Sequence, residues 1–138
     1  MTEIRSDADA QHMVTEFHEA FGVAVGESPS SELRRLRWNL LCEEAQESLD
    51  ALNEGDLLEI AQELADLVYV TYGTAISFGI DLDAAVREVH RSNMSKLGPD
   101  GRPILREDGK VLKGPNYQPP DVSTALPRLQ DADRSSPC

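Results

Sequence analysis

Cysteine, aromatic residues and positive charge are all scarce in this sequence. Two cysteines occur among 138 residues, Cys42 and Cys138, and their spacing fits neither a disulfide framework nor a pair of metal-binding thiolates, so a reducing cytoplasm is the expected compartment. The 25 aspartates and glutamates outnumber the 13 lysines and arginines, which gives a formal net charge of −12. Such a field repels polyanions, so we expect no nucleic-acid polymer and no membrane as a partner.

Long hydrophobic runs are also missing. The first residues, MTEIRSDADAQ, are polar and acidic and lack the basic start and apolar run of a signal peptide. The longest weakly charged run, residues 64–80, contains Asp66 and is short for a membrane span, so we interpret it as a core helix. At 138 residues we expect one domain whose thin core is completed by association with further copies of the chain.

Hydrophobic periodicity predicts four helices, over residues 7–21, about 32–53, 56–79 and 81–96. Beyond Gly98, two short apolar pieces flank Asp108-Gly109, a pair typical of a type I′ β-hairpin. The predicted fold class is all-α, of the four-helix-bundle type, with a small C-terminal hairpin and extended flap over residues 99–120. We predict that residues 1–120 form a single helical domain and that residues 121–138 are a disordered tail.

Acidic residues interrupt the apolar faces of the second and third helices. On a helical wheel that starts at Leu33, Glu44 and Glu47 fall inside the apolar arc, and Glu43 lies at its margin. Glu63 and Asp66 share a side of helix three with apolar residues. A tight turn at residues 54–56 makes the two helices antiparallel, so these four or five carboxylates are expected to converge.

Converging carboxylates need protons or cations, because two like charges ~4 Å apart repel by about 4 kcal/mol at an effective dielectric constant near 20. Either some of them are protonated with raised pKa values, or divalent cations neutralise them. An isolated ExxE pair usually marks a solvated helix face, but two such pairs on facing apolar stripes favour a site. Oxygen-only ligands select Mg²⁺, with Mn²⁺ as a substitute, over zinc.

Further residues are candidates for substrate binding. Asn93 and Lys96 extend the apolar arc of helix four, where an amide and a cation suit a polyphosphate, although Lys96 also fits a surface or helix-dipole role. Lys113 belongs to a group of cations in the flap that either covers phosphates or lies on the surface. Four aromatic residues either stack on a base or pack in the ordinary way: Phe17, Phe21, Trp38 and Tyr117.

The motifs EEAQE, ELAD and RSNMSK together resemble those of the all-α nucleoside triphosphate pyrophosphohydrolase superfamily, over roughly residues 10–120. This superfamily includes MazG-like proteins, dimeric dUTPases and phosphoribosyl-ATP pyrophosphohydrolase, and the chain looks most like MazG-like proteins related to dimeric dUTPases. The resemblance implies a MazG-like fold, often built from two chains, so a homodimer or homotetramer is expected. It also implies that magnesium is held by Glu43, Glu44, Glu47, Glu63 and Asp66, and that Asn93 and Lys96 contact the substrate.

The implied activity is Mg²⁺-dependent hydrolysis of a nucleoside triphosphate, by family likeness dUTP, to the monophosphate and pyrophosphate. Glu43 and Glu47 are the candidate catalytic residues, since a carboxylate not fully used in metal binding can take the proton of the attacking water. Two alternatives stay open: hydrolysis of phosphoribosyl-ATP, and a helical interaction module without enzymatic activity.

Overall fold

Four α-helices and one small hairpin make up the chain in a computed structural model, which describes residues 9–127. The first of two units, Met1–Ile80, contains α1 (Ala10–Phe21), α2 (Ser31–Glu54) and α3 (Leu57–Ser77). The second unit, Asp81–Cys138, contains α4 (Leu82–Met94), strands β1 (Ile104–Leu105) and β2 (Val111–Leu112), and a 3₁₀ helix at Ser123–Ala125. The mostly helical fold with a small C-terminal hairpin is confirmed, whereas the predicted domain bounds stay a prediction.

Each α-helix begins directly after a side chain that caps it. Asp9, Ser30, Asp56 and Asp81 each accept a hydrogen bond from a backbone N–H in the first turn of the helix that follows. These groups would otherwise lack a partner, which is why short polar side chains favour such positions. The caps explain why α1 starts at Ala10 and not at the predicted residue 7, and why α3 and α4 start one residue after the predicted positions.

In the first unit, α3 packs against both α1 and α2. The buried apolar side chains are of modest size and include Val14, Leu33, Ala51, Ala75 and Ile76. Gly55 ends α2 with a positive φ of 86°, a conformation that glycine adopts without strain, and α3 begins two residues later. This short connection makes α2 and α3 the antiparallel pair expected from the sequence.

The buried side of α1 differs from the apolar stripe that the sequence suggests. Phe21, at helical spacing from Val14 and Phe17, is 72% exposed, whereas Val14 and His18 are buried. The side chain of Phe21 stacks on Phe17 with 4.5 Å between ring centroids. A histidine therefore takes a core position that hydrophobicity alone would assign to phenylalanine.

In the second unit, α4 packs against the 3₁₀ helix, and the Asp81 N–H donates to the Ala125 carbonyl oxygen over 2.8 Å. The Glu88 carboxylate accepts from the Arg91 guanidinium and from the Asp121 N–H, and these hydrogen bonds lower the pKa of Glu88 to about 2. The 3₁₀ helix lies within residues 121–138, the stretch predicted to be disordered. Residues 128–138 of that stretch lie outside the described residues.

The hairpin pairs Ile104 with Leu112 and Leu105 with Val111. Beyond these pairs, the Arg106 N–H donates to Lys110 O and the Gly109 N–H donates to Arg106 O. Gly109 has a φ of 87°, and no residue other than glycine has a positive φ in the described part of the chain. The type I′ prediction is therefore wrong: that turn needs two residues with positive φ, whereas a three-residue loop with one left-handed glycine needs only Gly109.

Within the run 64–80, residues 64–77 belong to α3 and Phe78 is its C-terminal cap, so the interpretation as a helix is confirmed up to Ser77. Within residues 9–127, no helix is long and apolar enough to cross a membrane.

Candidate functional site

Three carboxylates meet where α2 and α3 face each other. Glu44, Glu63 and Asp66 each offer a carboxylate oxygen, and these oxygens all lie within 4.8 Å of one another. All three side chains are half-buried, and Oε2 of Glu44 and Oε2 of Glu63 have no hydrogen-bond partner among the described residues. Buried polar atoms are normally satisfied, so two orphaned carboxylate oxygens in one cluster indicate a missing cationic or protic partner.

Ser48 holds the two helices in register at this level. Its buried hydroxyl lies 2.9 Å from the carbonyl oxygen of Glu44 on its own helix and 3.1 Å from the carbonyl oxygen of Glu63 on α3. A small side chain is needed here because the helix backbones approach closely. Glu44 and Glu63 are thereby fixed at the same height along the helix pair.

The electrostatics of the cluster favour neutralisation. Burial, followed by the charges of Glu47 and Asp66, raises the pKa of Glu44 above its ordinary value. Burial, followed by a side-chain hydrogen bond with Glu47 and the charges of Glu47 and Asp66, likewise raises the pKa of Glu63. The site therefore attracts a proton or a cation, and a set of oxygen-only donors suits a hard divalent cation.

Glu47 and Glu43 lie at the edge of the cluster. Both residues are exposed, but the neighbouring Glu47 carboxylate contributes to the raised pKa values of Glu44 and Glu63. Glu43 acts on Glu44 only through its charge, as the smallest of the contributions that raise the pKa of Glu44. The structure thus brings together Glu44, Glu63 and Asp66, with Glu47 beside them and Glu43 further out.

A cavity of about 400 Å³, here called the α1–α3 cavity, opens beside the carboxylates within the first unit. Glu44 and Asp66 line one part of it, and the edge-to-face pair of Phe17 and Tyr69, with ring centroids 5.6 Å apart, lines another. Its volume falls in the range of small-molecule sites, which are largely apolar with a few polar groups. Phe17, one of the aromatic residues proposed to bind substrate, therefore lies next to the carboxylate cluster.

Arg37 also lines this cavity, although the residue is only 5% exposed. Its Nε donates to Thr74 Oγ1 over 3.1 Å and its Nη2 donates to the Val70 carbonyl oxygen over 3.0 Å. No carboxylate within residues 9–127 lies at salt-bridge distance from it. Burial lowers the pKa of Arg37, which nevertheless stays charged because the ordinary value of arginine is so high.

His18 lies beside Arg37 and is 3% exposed. Its Nδ1 is 2.9 Å from the Ala24 carbonyl oxygen, and since a carbonyl can only accept, Nδ1 carries a proton. Gly73 lets both side chains approach α3: a Cβ at this position would lie 2.6 Å from Arg37 Nη2 and 2.8 Å from His18 Nε2. The absence of a side chain at Gly73 thus makes room for two polar groups in the core.

The other predicted substrate-binding residues are not among those that line the α1–α3 cavity. Trp38 is exposed and borders a shallow apolar groove with Leu41, Cys42 and Ala45, away from the residues that line the α1–α3 cavity. Asn93 belongs to α4 and Lys96 follows it, both in the second unit. In the same unit, Lys113 Nζ lies 4.7 Å from the centroid of the Tyr117 ring, a cation–π contact. The roles of these residues stay predictions.

The sequence interpretation missed Arg37, His18, Tyr69 and Gly73. A usable signal existed for Arg37, because on the wheel that starts at Leu33 it falls near 40°, inside the apolar arc that holds Glu44. His18 offered a weaker signal, since its partner Ala24 lies in the loop after α1. An aromatic residue such as Tyr69 in an apolar helix carries no functional signal.

The carboxylates and the cavity fall within a stretch that matches a known family. Residues 14–93, more than half of the chain, match the family model described as phosphoribosyl-ATP pyrophosphohydrolase. The chain is also similar to an uncharacterized protein of Acanthamoeba polyphaga mimivirus, with 33% identity over 100 residues. That match covers 70% of this chain and 37% of the viral protein, so the chain spans well under half the length of this relative.

Proposed function

Because the chain belongs to the phosphoribosyl-ATP pyrophosphohydrolase family, within the all-α nucleoside triphosphate pyrophosphohydrolase superfamily, we propose that it is a metal-dependent nucleotide pyrophosphohydrolase. The observation that carries the proposal is the Glu44, Glu63 and Asp66 cluster with its two unpartnered carboxylate oxygens. These residues lie inside the stretch that matches the family.

The donor set fits a divalent cation such as Mg²⁺ or Mn²⁺. Glu44, Glu63 and Asp66 would hold it, and we propose Glu47 and Glu43 as its further ligands. When bound, such a cation supplies neutralisation of phosphate charge and a lowered pKa of a coordinated water.

The exposed carboxylates of Glu47 and Glu43 supply the proton acceptor. A water oxygen attacks a phosphorus atom of the triphosphate, the bond to the α,β-bridging oxygen breaks, and the water proton passes to one of these carboxylates. The products are the monophosphate and pyrophosphate. Of the two, Glu47 is the first candidate, because its charge raises the pKa of both Glu44 and Glu63, whereas Glu43 contributes only to that of Glu44. Asn93, Lys96 and Lys113 remain the proposed contacts to the substrate.

We propose dUTP as the substrate, from the likeness of the motifs to those of MazG-like proteins related to dimeric dUTPases. Phosphoribosyl-ATP is the other candidate, and it is the one that the family comparison supports, because the matching family model bears the name of that activity. The two substrates need different binding sites, since phosphoribosyl-ATP carries a further phosphate, far from its triphosphate, that dUTP lacks. A substrate panel that contains both separates them.

Association into a homodimer or homotetramer belongs to the same proposal. Large apolar side chains are exposed on both α2 and α3, among them Trp38, Leu57 and Leu58, the last two 80% exposed. Solvent-exposed apolar groups at this density favour burial against another copy. Light scattering on the purified chain tests this, with a monomer as the contrary outcome.

The test of the activity is pyrophosphate release from a nucleotide panel with and without Mg²⁺. We expect metal-dependent release from dUTP, and Glu47→Gln to lower kcat by about 10²- to 10⁴-fold, the usual contribution of a general base. Glu16→Gln, an exposed change on α1, is the matched control and is expected to leave kcat unchanged. Absence of metal-dependent turnover, together with no rise in melting temperature on addition of Mg²⁺, would favour the interaction module instead.

A further inference from the structure

The α1–α3 cavity contains polar groups that the hydrolysis itself does not use. Arg37 and His18 both line it, and both are nine-tenths or more buried. Neither residue belongs to the carboxylate cluster. A buried guanidinium costs desolvation energy unless its donors are satisfied, so its presence in a cavity wall calls for an explanation.

Arg37 has donors to spare. A guanidinium carries five N–H donors, and the hydrogen bonds of Arg37 within residues 9–127 are those of Nε to Thr74 and of Nη2 to Val70. The remaining donors can serve a ligand in the cavity. Since arginine never accepts a hydrogen bond, such a ligand must present an acceptor to it.

His18 offers the opposite polarity. Its Nδ1 donates to the Ala24 carbonyl oxygen, which leaves Nε2 as the ring nitrogen that can accept a hydrogen bond. Both Nε2 of His18 and Nη2 of Arg37 lie against the same point of α3, because each would be under 3 Å from a Cβ at Gly73. Arg37 and His18, which both line the cavity, thus carry a donor group and an acceptor group that lie next to each other at Gly73.

On the basis of the proposed function, we propose that Arg37 and His18 recognise the edge of a nucleobase in which a carbonyl group lies next to a ring N–H. Arg37 donates to the carbonyl oxygen and His18 Nε2 accepts from the ring N–H. Uracil and thymine have this edge, and so do guanine and hypoxanthine. In the same orientation, cytosine and adenine place an amino group against the Arg37 donors and an unprotonated ring nitrogen against His18 Nε2, so neither hydrogen bond forms.

A phosphate group is a poorer match for the same place. The cavity wall contains the carboxylates of Glu44 and Asp66, and the aromatic rings of Phe17 and Tyr69. Arg37 is the only lysine or arginine among the residues that line the cavity, and it is partly engaged by Thr74 and Val70, whereas flat aromatic walls suit a base. The cavity therefore favours a base over the additional phosphate of phosphoribosyl-ATP.

The test compares kcat/KM for dUTP and dCTP, which differ only at this edge, in the wild type and in two variants. Arg37→Met removes the donors, and His18→Asn keeps a donor for Ala24 while it removes the acceptor. Each change is expected to lower kcat/KM for dUTP by about 10- to 100-fold and to leave dCTP less affected. Arg35→Met and His12→Asn, both at exposed positions, are the matched controls.

A purely structural role for Arg37 and His18 predicts equal losses for both nucleotides, and that result would overturn the proposal. So would a wild-type preference for dCTP or dATP, or a preference for phosphoribosyl-ATP that Arg37→Met removes. If a variant fails to fold, the wild type alone tests the proposal. Its kcat/KM is then compared between dUTP and N3-methyl-dUTP, in which the ring N–H is blocked. We expect kcat/KM for this analogue to be about 10- to 100-fold below that for dUTP, and equal values contradict the proposal.

Failure of the base proposal and failure of the proposed function give different results. Metal-dependent turnover of all nucleotides without base preference removes the base proposal and keeps the function. If no nucleotide is turned over, calorimetric binding of α,β-imido-dUTP and α,β-imido-dCTP in the presence of Mg²⁺ decides the base proposal. Tighter binding of the uracil analogue supports it, and equal or weaker binding removes it.

Discussion

The Ser48 hydroxyl on α2 lies 3.1 Å from the carbonyl oxygen of Glu63 on α3. The Ser48 hydroxyl oxygen also lies 2.9 Å from the carbonyl oxygen of Glu44. One small side chain therefore contacts the backbone of two members of the carboxylate cluster. The geometry of the site thus depends on a residue that does not belong to it.

Replacement of Ser48 by alanine is expected to lower the free energy of unfolding by about 1 kcal/mol, the usual net value of a neutral hydrogen bond. Urea denaturation measures it. Thr71→Ala is the control, because the Thr71 hydroxyl bonds only within its own helix, to the Leu67 carbonyl oxygen. The two variants should differ in kcat as well, and equal effects would show that Ser48 does not hold the helices in register.

Replacement of Glu44 by glutamine is expected to raise the melting temperature of the metal-free protein, because it removes one of several repelling carboxylates. It should also abolish the rise in melting temperature that Mg²⁺ produces in the wild type. At a Mg²⁺ concentration one hundred times Kd, a ligand that binds only the folded state stabilises it by about 2.7 kcal/mol. A variant that keeps the full Mg²⁺ effect would remove Glu44 from the metal ligands. Thermal unfolding in EDTA and in Mg²⁺ measures both effects.

The raised pKa values of Glu44 and Glu63 predict how metal-free stability depends on pH. Between the ordinary value of 4.5 and the raised values, the folded state binds more protons than the unfolded state, so stability falls as pH rises through this window. Melting temperatures in EDTA should therefore decline from pH 4.5 upward. The double variant Glu44→Gln, Glu63→Gln should decline less steeply. If the melting temperatures of the double variant and the wild type fell equally with pH, the pKa values of Glu44 and Glu63 would not be the cause of the decline.

Gly73→Ala is expected to destabilise the protein, although alanine favours a helix over glycine by about 1 kcal/mol. The new Cβ would lie under 3 Å from Arg37 Nη2 and His18 Nε2, both held by hydrogen bonds, and such overpacking costs about 1–3 kcal/mol. Combination with Arg37→Met should recover part of the loss, as a double-mutant cycle in urea would show. If Gly73→Ala alone were more stable than the wild type, Arg37 and His18 could not approach Gly73 as closely as the structure shows.

Helical periodicity was enough to find the carboxylate cluster. Glu44, Glu63 and Asp66 can be placed from the wheel and from the short turn near Gly55, because an antiparallel pair with a tight connection has little freedom in register. The helical wheel placed Glu47 inside the apolar arc, but the residue is exposed. A wheel gives the angular position of a side chain around its helix and does not give the distance to the neighbouring helix.

The two polar residues Arg37 and His18 in the wall of the α1–α3 cavity were not predicted from the sequence. Arg37 stands among other arginines in RRLRW, where a surface role is the ordinary expectation, and only its angle on the wheel set it apart. His18 depends on a loop carbonyl and on a glycine 55 positions away, two contacts that no local pattern contains. The type I′ prediction for the hairpin was wrong for a local reason. Asp108 does not adopt the left-handed conformation that a type I′ turn requires of both central residues, and only Gly109 does.

Mg²⁺-dependent release of pyrophosphate from dUTP, compared between the wild type and Asp66→Asn, tests the central claim most directly. Glu59→Gln, an exposed acidic position on the same helix, is the control. We expect turnover in the wild type and in Glu59→Gln only when Mg²⁺ is present, and a loss of about 100-fold or more in Asp66→Asn with unchanged helical content. Full activity of Asp66→Asn, or equal activity in EDTA, would contradict the assignment of the carboxylate cluster as the metal site of a pyrophosphohydrolase.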